Sequence, residues 1–274
     1  MVRRARANWL VTSLLLVCSL TILIPLYLTV VVAFKSPSGL LDNIWSLPST
    51  WKWSNFSDAI RITNFPRALF FSVILTASVV VLTVLTNSLV GYAVARNMHR
   101  LPFKIMFFYF LSALFIPFPI LMLPLVKEMS KLGLDNLPGL IILYTVYNLS
   151  FNVLLYTGYM RTIPLAIEEA AHIDGAGPWT TYWRVVFPLM LPVNATVAIL
   201  TGLGTWNDFL LPLVILSRQD QYTLPLVQYA FQSQFSTNYN LAFASYLMAF
   251  LPMIIGYLVA QRRIIGGVSF GAVK

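Results

Sequence analysis

The sequence predicts an all-α, polytopic membrane protein with six transmembrane helices. Three observations lead there. First, 58% of the 274 residues are hydrophobic and only 10% are charged, with a mean hydropathy of +0.78; water-soluble domains keep about 25% charged residues. Second, six apolar stretches, about 10–34, 68–95, 105–126, 138–160, 190–216 and 241–261, can each cross a hydrocarbon core that takes roughly 20 residues. Third, with the N-terminus inside, eleven basic residues fall on the cytoplasmic side (Arg3, Arg4, Arg6, Arg96, Arg100, Lys104, Arg161, Arg184, Arg262, Arg263 and Lys274) and seven outside. That asymmetry orients multi-span proteins. Both termini are therefore expected in the cytoplasm, with residues 1–274 as a single transmembrane domain.

The first stretch follows a basic start and carries no charge from residue 7 to residue 34. It is too long for a cleaved secretory signal and lacks a small-x-small cleavage site, so it reads as an anchor. The loop at about 35–66 holds Trp45, Trp51 and Trp53, as expected of an interfacial segment; a contact with an external protein is the alternative. The third stretch contains Pro117, Pro119 and Pro124 within eight residues. Each removes a backbone hydrogen bond that lipid cannot replace, so the segment should kink, as a packing feature or as a hinge.

Between the fourth and fifth stretches lies a polar interruption, about 161–184, which holds Glu168, Glu169 and Asp174. Pro164 opens a short helix through Glu168–His172, Gly175, Gly177 and Pro178 end it, and a second helix can run from Trp179 to Phe187 before Pro188 and Pro192. The prediction is a helix–turn–helix shelf on one membrane face.

The formal charge of +9 does not indicate nucleic acid. Once the acidic residues are subtracted, the cytoplasmic segments keep most of it, so the excess orients the chain. One cysteine, Cys18, excludes a disulfide framework. His99 and His172 are the two histidines, and no metalloprotease, nucleophile-elbow or phosphate-loop motif occurs. A single Glu169-x-x-His172 is too little for a di-iron site. No catalytic residue, resident cofactor or metal site is expected.

The interruption carries a family resemblance. The pattern E-A-A, three residues, Gly, nine residues, I-x-L-P reads here as Glu169-Ala170-Ala171, Gly175 and Val185-Val186-Phe187-Pro188, with Val and Phe replacing Ile and Leu. It resembles the signature of permease subunits of ATP-driven, binding-protein-dependent (ABC) importers. The fuller string through Asp174-Gly175-Ala176-Gly177, Trp206-Asn207-Asp208-Phe209 and Gln261-Arg262-Arg263-Ile264-Ile265-Gly266-Gly267 are similar to the carbohydrate branch, particularly the smaller maltose-type permease. The resemblance covers nearly the whole chain. It implies a type I importer permease fold in a bacterial or archaeal inner membrane. It also implies two ATPase subunits carrying ATP and magnesium, a second permease, an extracytoplasmic solute-binding protein and a carbohydrate substrate. Glu169, Ala170, Ala171, Asp174 and Gly175 would couple to the ATPase.

Polar residues within the spans fall on stripes. Asn194, Thr201, Thr205 and Asp208 lie within about 60° on a helix wheel. Thr145, Asn148, Asn152, Tyr156 and Tyr159 form a second stripe, and Ser72, Thr76, Thr83 and Asn87 a third. Interhelical hydrogen bonding and a hydrated solute path both account for them. On the path reading Asn148, Asn152, Tyr156, Thr201, Thr205 and Asp208 line it. Asp208, an intramembrane charge, should face the interior beside Asn207 or a partner subunit. An ion-gradient-driven secondary transporter is the rival class; recognisable repeated halves and buried coupling carboxylates are missing for it.

Overall fold

Helix follows helix along the chain, as the unbroken apolar runs require. The computed structural model describes residues 9–231 and 238–272. Arg3, Arg4, Arg6 and Lys274 of the basic asymmetry lie outside these residues, and the side chains of Arg262 and Arg263 lie outside the description as well. Among the described residues three helices are long and apolar enough to cross a membrane: α1 (Trp9–Phe34), α4 (Phe65–Arg96) and α14 (Tyr239–Ala272), the last through its Tyr239–Gly256 part. Three bent pairs bring the total to six if each is one span. Short helices α2 (Pro37–Asp42) and α3 (Ser54–Thr63) lie in the first long loop.

Three of the expected spans, each one apolar run in the sequence, are interrupted in the structure. In place of one helix over 105–126, α5 (Leu101–Ala113) and α6 (Phe118–Lys131) meet at 104°. Pro117, extended at φ −63° and ψ 132°, has no N–H to continue α5, and its ring disfavours a helical Ile116. The kink expected of the proline cluster is therefore a full corner. The stretch 190–216 is divided as well, with α12 (Leu191–Asn207) ending at an extended Asp208 before α13 (Leu210–Ile215).

The fourth span is the pair α7 (Leu137–Tyr147) and α8 (Leu149–Met160), bent by 42° at Asn148. The Asn148 side chain donates to the Tyr144 carbonyl at 2.8 Å, so it competes with the helix ladder where the axis turns.

The chain forms two compact units. The first combines the described residues before Arg67 with Val227–Ile254. Its core holds Ala33, Phe34, Ala59, Phe231, Ala242 and Ala244. Asn55 donates to the carbonyls of Ala33 and Lys35 at 2.8 and 2.9 Å, capping the end of α1. Trp51 and Trp53 pack edge-on against Phe34 while keeping outer faces exposed, which agrees with an interfacial position.

The second unit combines Arg67–Leu226 with the described residues from Ile255. It has two cores strung along α4. One gathers Leu75 and Val79 of α4 with Met129, Leu137, Leu140, Tyr144, Leu211 and Ile215. The other gathers Tyr156, Met160, Ile163, Tyr182, Val186, Met190, Val193 and Val197, against Val84, Leu89 and Tyr92 of α4. The polar interruption is thus rooted in a hydrophobic core.

Candidate functional site

The shelf is built as its prolines and glycines dictate. Pro164 precedes α9 (Leu165–Ile173) in an extended conformation, the geometry a proline supplies before a first turn. At the other end Gly175 has φ +83°, its N–H bonds to the His172 carbonyl, and the Ala176 N–H bonds to the Ala171 carbonyl at 2.9 Å. Those paired bonds are a Schellman stop, which favours glycine because any Cβ is strained at positive φ. His172 Nδ1 lies 2.9 Å from the Ala176 carbonyl across the same turn.

The return arm is less regular than a simple second helix. It runs as α10 (Pro178–Thr181), a π turn over Tyr182–Val186, and α11 (Phe187–Leu189), which meets α12 at 74°. The wide turn leaves both Tyr182 and Val186 buried; such turns are inserted in α-helices frequently at functional sites.

Of the residues expected to couple, Glu169, Ala170, Asp174 and Gly175 are exposed and Ala171 is half-buried. Leu165, Ile173 and Trp179 are exposed beside them, Ile173 at 87%. The surface is apolar with an acidic spot. Exposed apolar residues gathered around a charge are a composition found at interaction surfaces.

Glu168, the neighbour of Glu169, points the other way. It is 4% exposed, and its Oε1 accepts from Arg96 Nε at 2.7 Å and Nη2 at 2.6 Å. Its Oε2 accepts from the Tyr92 hydroxyl at 2.7 Å. Arg96 spends its other donors on the carbonyls of Met160 and Ile163, at 3.3 and 3.0 Å, at the end of α8. One guanidinium therefore ties α4, α8 and α9. Sequence alone marks Glu168 only as a helix former. The signal was available: a charged residue one position from Glu169 lies about 100° around the helix, so both cannot face the same partner.

The three polar stripes converge inside the second unit. Asn152, Tyr156, Thr201 and Thr205 are buried, and Asn148 and Asp208 are half-buried. Gly202 of α12 lies beside Val80 and Thr76 of α4, and Gly91 of α4 lies so close to Tyr156 of α8 that a Cβ there would overlap it. Asn87 donates to the Thr145 carbonyl at 3.4 Å. Yet Asn152 Nδ2, Tyr156 Oη, Thr205 Oγ1, Thr83 Oγ1 and Asn194 Oδ1 are buried without a hydrogen-bond partner in the protein. Packing glue would satisfy itself; these groups do not satisfy one another.

Asp208 has a partner that the sequence did not suggest. Its Oδ2 accepts from the Tyr144 hydroxyl at 2.8 Å, and its Oδ1 accepts from the Leu210 N–H at 2.9 Å. Asn207, expected beside it, is exposed and donates instead to the Leu203 carbonyl. The carboxylate thus satisfies a backbone donor freed by the interruption of the fifth span.

Similarity to known proteins agrees with this architecture. Residues 87–265 match the model of the family described as binding-protein-dependent transport system inner membrane component. A multiple sugar-binding transport system permease protein, MsmG of Streptococcus mutans, is 39% identical over 272 residues, covering 95% of each chain. A probable starch degradation products transport system permease protein, AmyC of Thermoanaerobacterium thermosulfurigenes, is 34% identical over 267 residues, 97% of each. In fold, the chain is similar to one in the crystal structure of a bacterial ABC transporter involved in the import of the acidic polysaccharide alginate. The TM-score is 0.81 at 22% identity, over 96% of this chain and 98% of that one. The all-α, multi-span fold expected from the sequence is shared with that importer, and the chain belongs to the family of inner membrane components of binding-protein-dependent transport systems.

Proposed function

We propose that this chain is one permease of a carbohydrate importer and that its shelf receives a separate ATP-hydrolysing subunit. The observation that carries the reading is the exposed face of α9, where Glu169 and Ala170 stand among Leu165 and Ile173 on a helix fixed at both ends. An apolar patch with one exposed carboxylate suits a groove offering apolar walls and a cation. ATP and magnesium belong to that other subunit, which closes on nucleotide and moves the shelf. The names of the relatives, which refer to sugars and starch products, support a carbohydrate as the solute. A second permease completes the pathway and an extracytoplasmic binding protein delivers the solute.

On this reading the stripes of α4, α8 and α12 border the path. Unpartnered hydroxyl and amide groups beside Tyr156 offer a sugar both hydrogen bonds and an aromatic face. Asn152 and Thr205 are buried here, at 2% and 4% exposure, so they become accessible only when the helices part.

The experiment is Glu169→Lys in a transporter purified through a tag on this chain. The expected outcome is a folded permease that no longer retains its ATPase. Normal assembly with parental coupling of hydrolysis to uptake would refute the docking face.

A further inference from the structure

Ser88, Tyr92 and Arg96 recur every four residues along the end of α4, on one face of the helix. Each grips the shelf. Ser88 and Tyr182 share a hydrogen bond of 2.7 Å, the Tyr92 ring lies 5.1 Å from that of Tyr182, and Tyr92 and Arg96 together hold Glu168. The outgoing and returning arms of the shelf are therefore both attached to one stripe. Among the described residues this ion pair is the buried one, with 18% and 6% side-chain exposure; the other ion pairs lie at the surface.

We infer that Glu168 and the Ser88–Tyr92–Arg96 stripe form the internal coupling joint of this permease, through which displacement of the shelf is delivered to α4. The inference rests on the docking reading above and divides the two adjacent glutamates between outward docking and inward transmission. The mechanical argument is specific. A hydrophobic contact alone slides; a buried carboxylate held by three donors resists sliding, because leaving its site strands two charges. α4 is also the span of the second unit that has no break: 32 residues, about 48 Å at 1.5 Å per residue. Its other half packs Leu75 and Val79 against Tyr144 and Leu211, and Tyr144 holds Asp208. A push on α9 thus reaches the interruption of the fifth span through one rod. Glu168, Tyr92, Arg96 and Ser88 act as positioning residues.

The test uses the assembled transporter in proteoliposomes and reads two quantities, ATP hydrolysed and solute taken up. Glu168→Gln is expected to keep its ATPase on purification and to keep hydrolysis, while uptake per ATP falls about tenfold, within the range typical of coupling between sites. The exchange Glu168→Arg with Arg96→Glu should restore a large part of that loss, which a general packing defect would not allow. If Glu168→Gln does not fold, Tyr92→Phe and Ser88→Ala decide, since each removes one hydroxyl and leaves the ion pair; both should lower uptake per ATP several-fold. Parental uptake per ATP in Glu168→Gln, or in both hydroxyl variants, overturns the joint. Loss of the ATPase from Glu168→Gln also overturns it, since Glu168 would then belong to the docking face. Failure of the docking reading is separate: it shows as parental behaviour of Glu169→Lys, whatever Glu168→Gln does.

Discussion

Replacing Gly91 by Ala should loosen the seam between α4 and α8, and the geometry sets the size of the effect. A Cβ built on Gly91 would lie 2.3 Å from Tyr156 Cβ and 3.1 Å from its Cγ. Comfortable carbon contacts are about 3.5–4.0 Å, so the helices must separate locally by more than about 1 Å. The obstacle is the root of the tyrosine side chain, which no rotamer can move. Overpacking of this kind costs about 3 kcal/mol at the upper end of its usual range. Alanine returns about 1 kcal/mol over glycine in a helix, leaving a net loss of about 2 kcal/mol. Gly158, on α8, has nothing within 4 Å of its Cβ position, so Gly158→Ala should gain about 1 kcal/mol. Unfolding of both variants in mixed detergent micelles, followed by tryptophan fluorescence, should separate them by about 3 kcal/mol. Tyr156→Phe in the Gly91→Ala background should bring no relief. Equal stability of the two alanine variants would refute the close approach and, with it, the tight seam beside the unpartnered Tyr156 hydroxyl.

Other outcomes follow from single contacts. Asp208→Ala should cost about 1–2 kcal/mol in the same assay, because the Leu210 N–H and the Tyr144 hydroxyl lose an acceptor, whereas Asp208→Asn should retain much of the stability. Gly175→Ala should cost about 1–2 kcal/mol at φ +83°, while Gly177→Ala, at φ −72° in open space, should be nearly neutral. Cysteines placed at 152 and 205 on a Cys18→Ala background should react with a water-soluble reagent only in some nucleotide states, with a cysteine at 203 unreactive throughout; silence at both positions in every state would remove them from the path. The Arg218 guanidinium beside Asp220, followed by Arg67, holds the Asp220 carboxyl below the usual carboxylate range. Its small contribution is therefore complete above about pH 3.9 and lost as the pH falls further; Asp220→Asn should erase that component of an acid titration of stability.

The shelf was legible because its punctuation is local. Pro164, Gly175 and Pro178 act through their own backbone, so their positions announce the start, the stop and the restart of helix. The spans were legible as apolar runs, and the stripes as burial. Continuity was not: Pro117 reads as a kink, but whether the chain bends slightly or turns a corner of 104° depends on what α5 and α6 find to pack against. Asp208 was legible as an expensive group, whereas its role in interrupting the fifth span depends on Tyr144, 64 residues away. That Glu168 and Glu169 face different ways is readable from the helix period, but which of the two turns inward was hidden for a related reason. Adjacent identical residues carry the same chemistry, and only the partner face, here Arg96, tells them apart.

The π turn over Tyr182–Val186 has a bearing on how this loop can vary. A π turn holds one residue more than the α turn it replaces, so it works as a stored insertion. Removing a single residue between Tyr182 and Phe187 would relax the wide turn to an ordinary α turn and leave the flanking residues in phase. Trp179 would keep its exposed position and Tyr182 its place at Ser88. The same deletion in α9, an ordinary helix, would rotate everything beyond it by about 100°. The return arm can therefore lose a residue where the outgoing arm cannot, as a belt with one spare notch can be drawn in without changing what it holds.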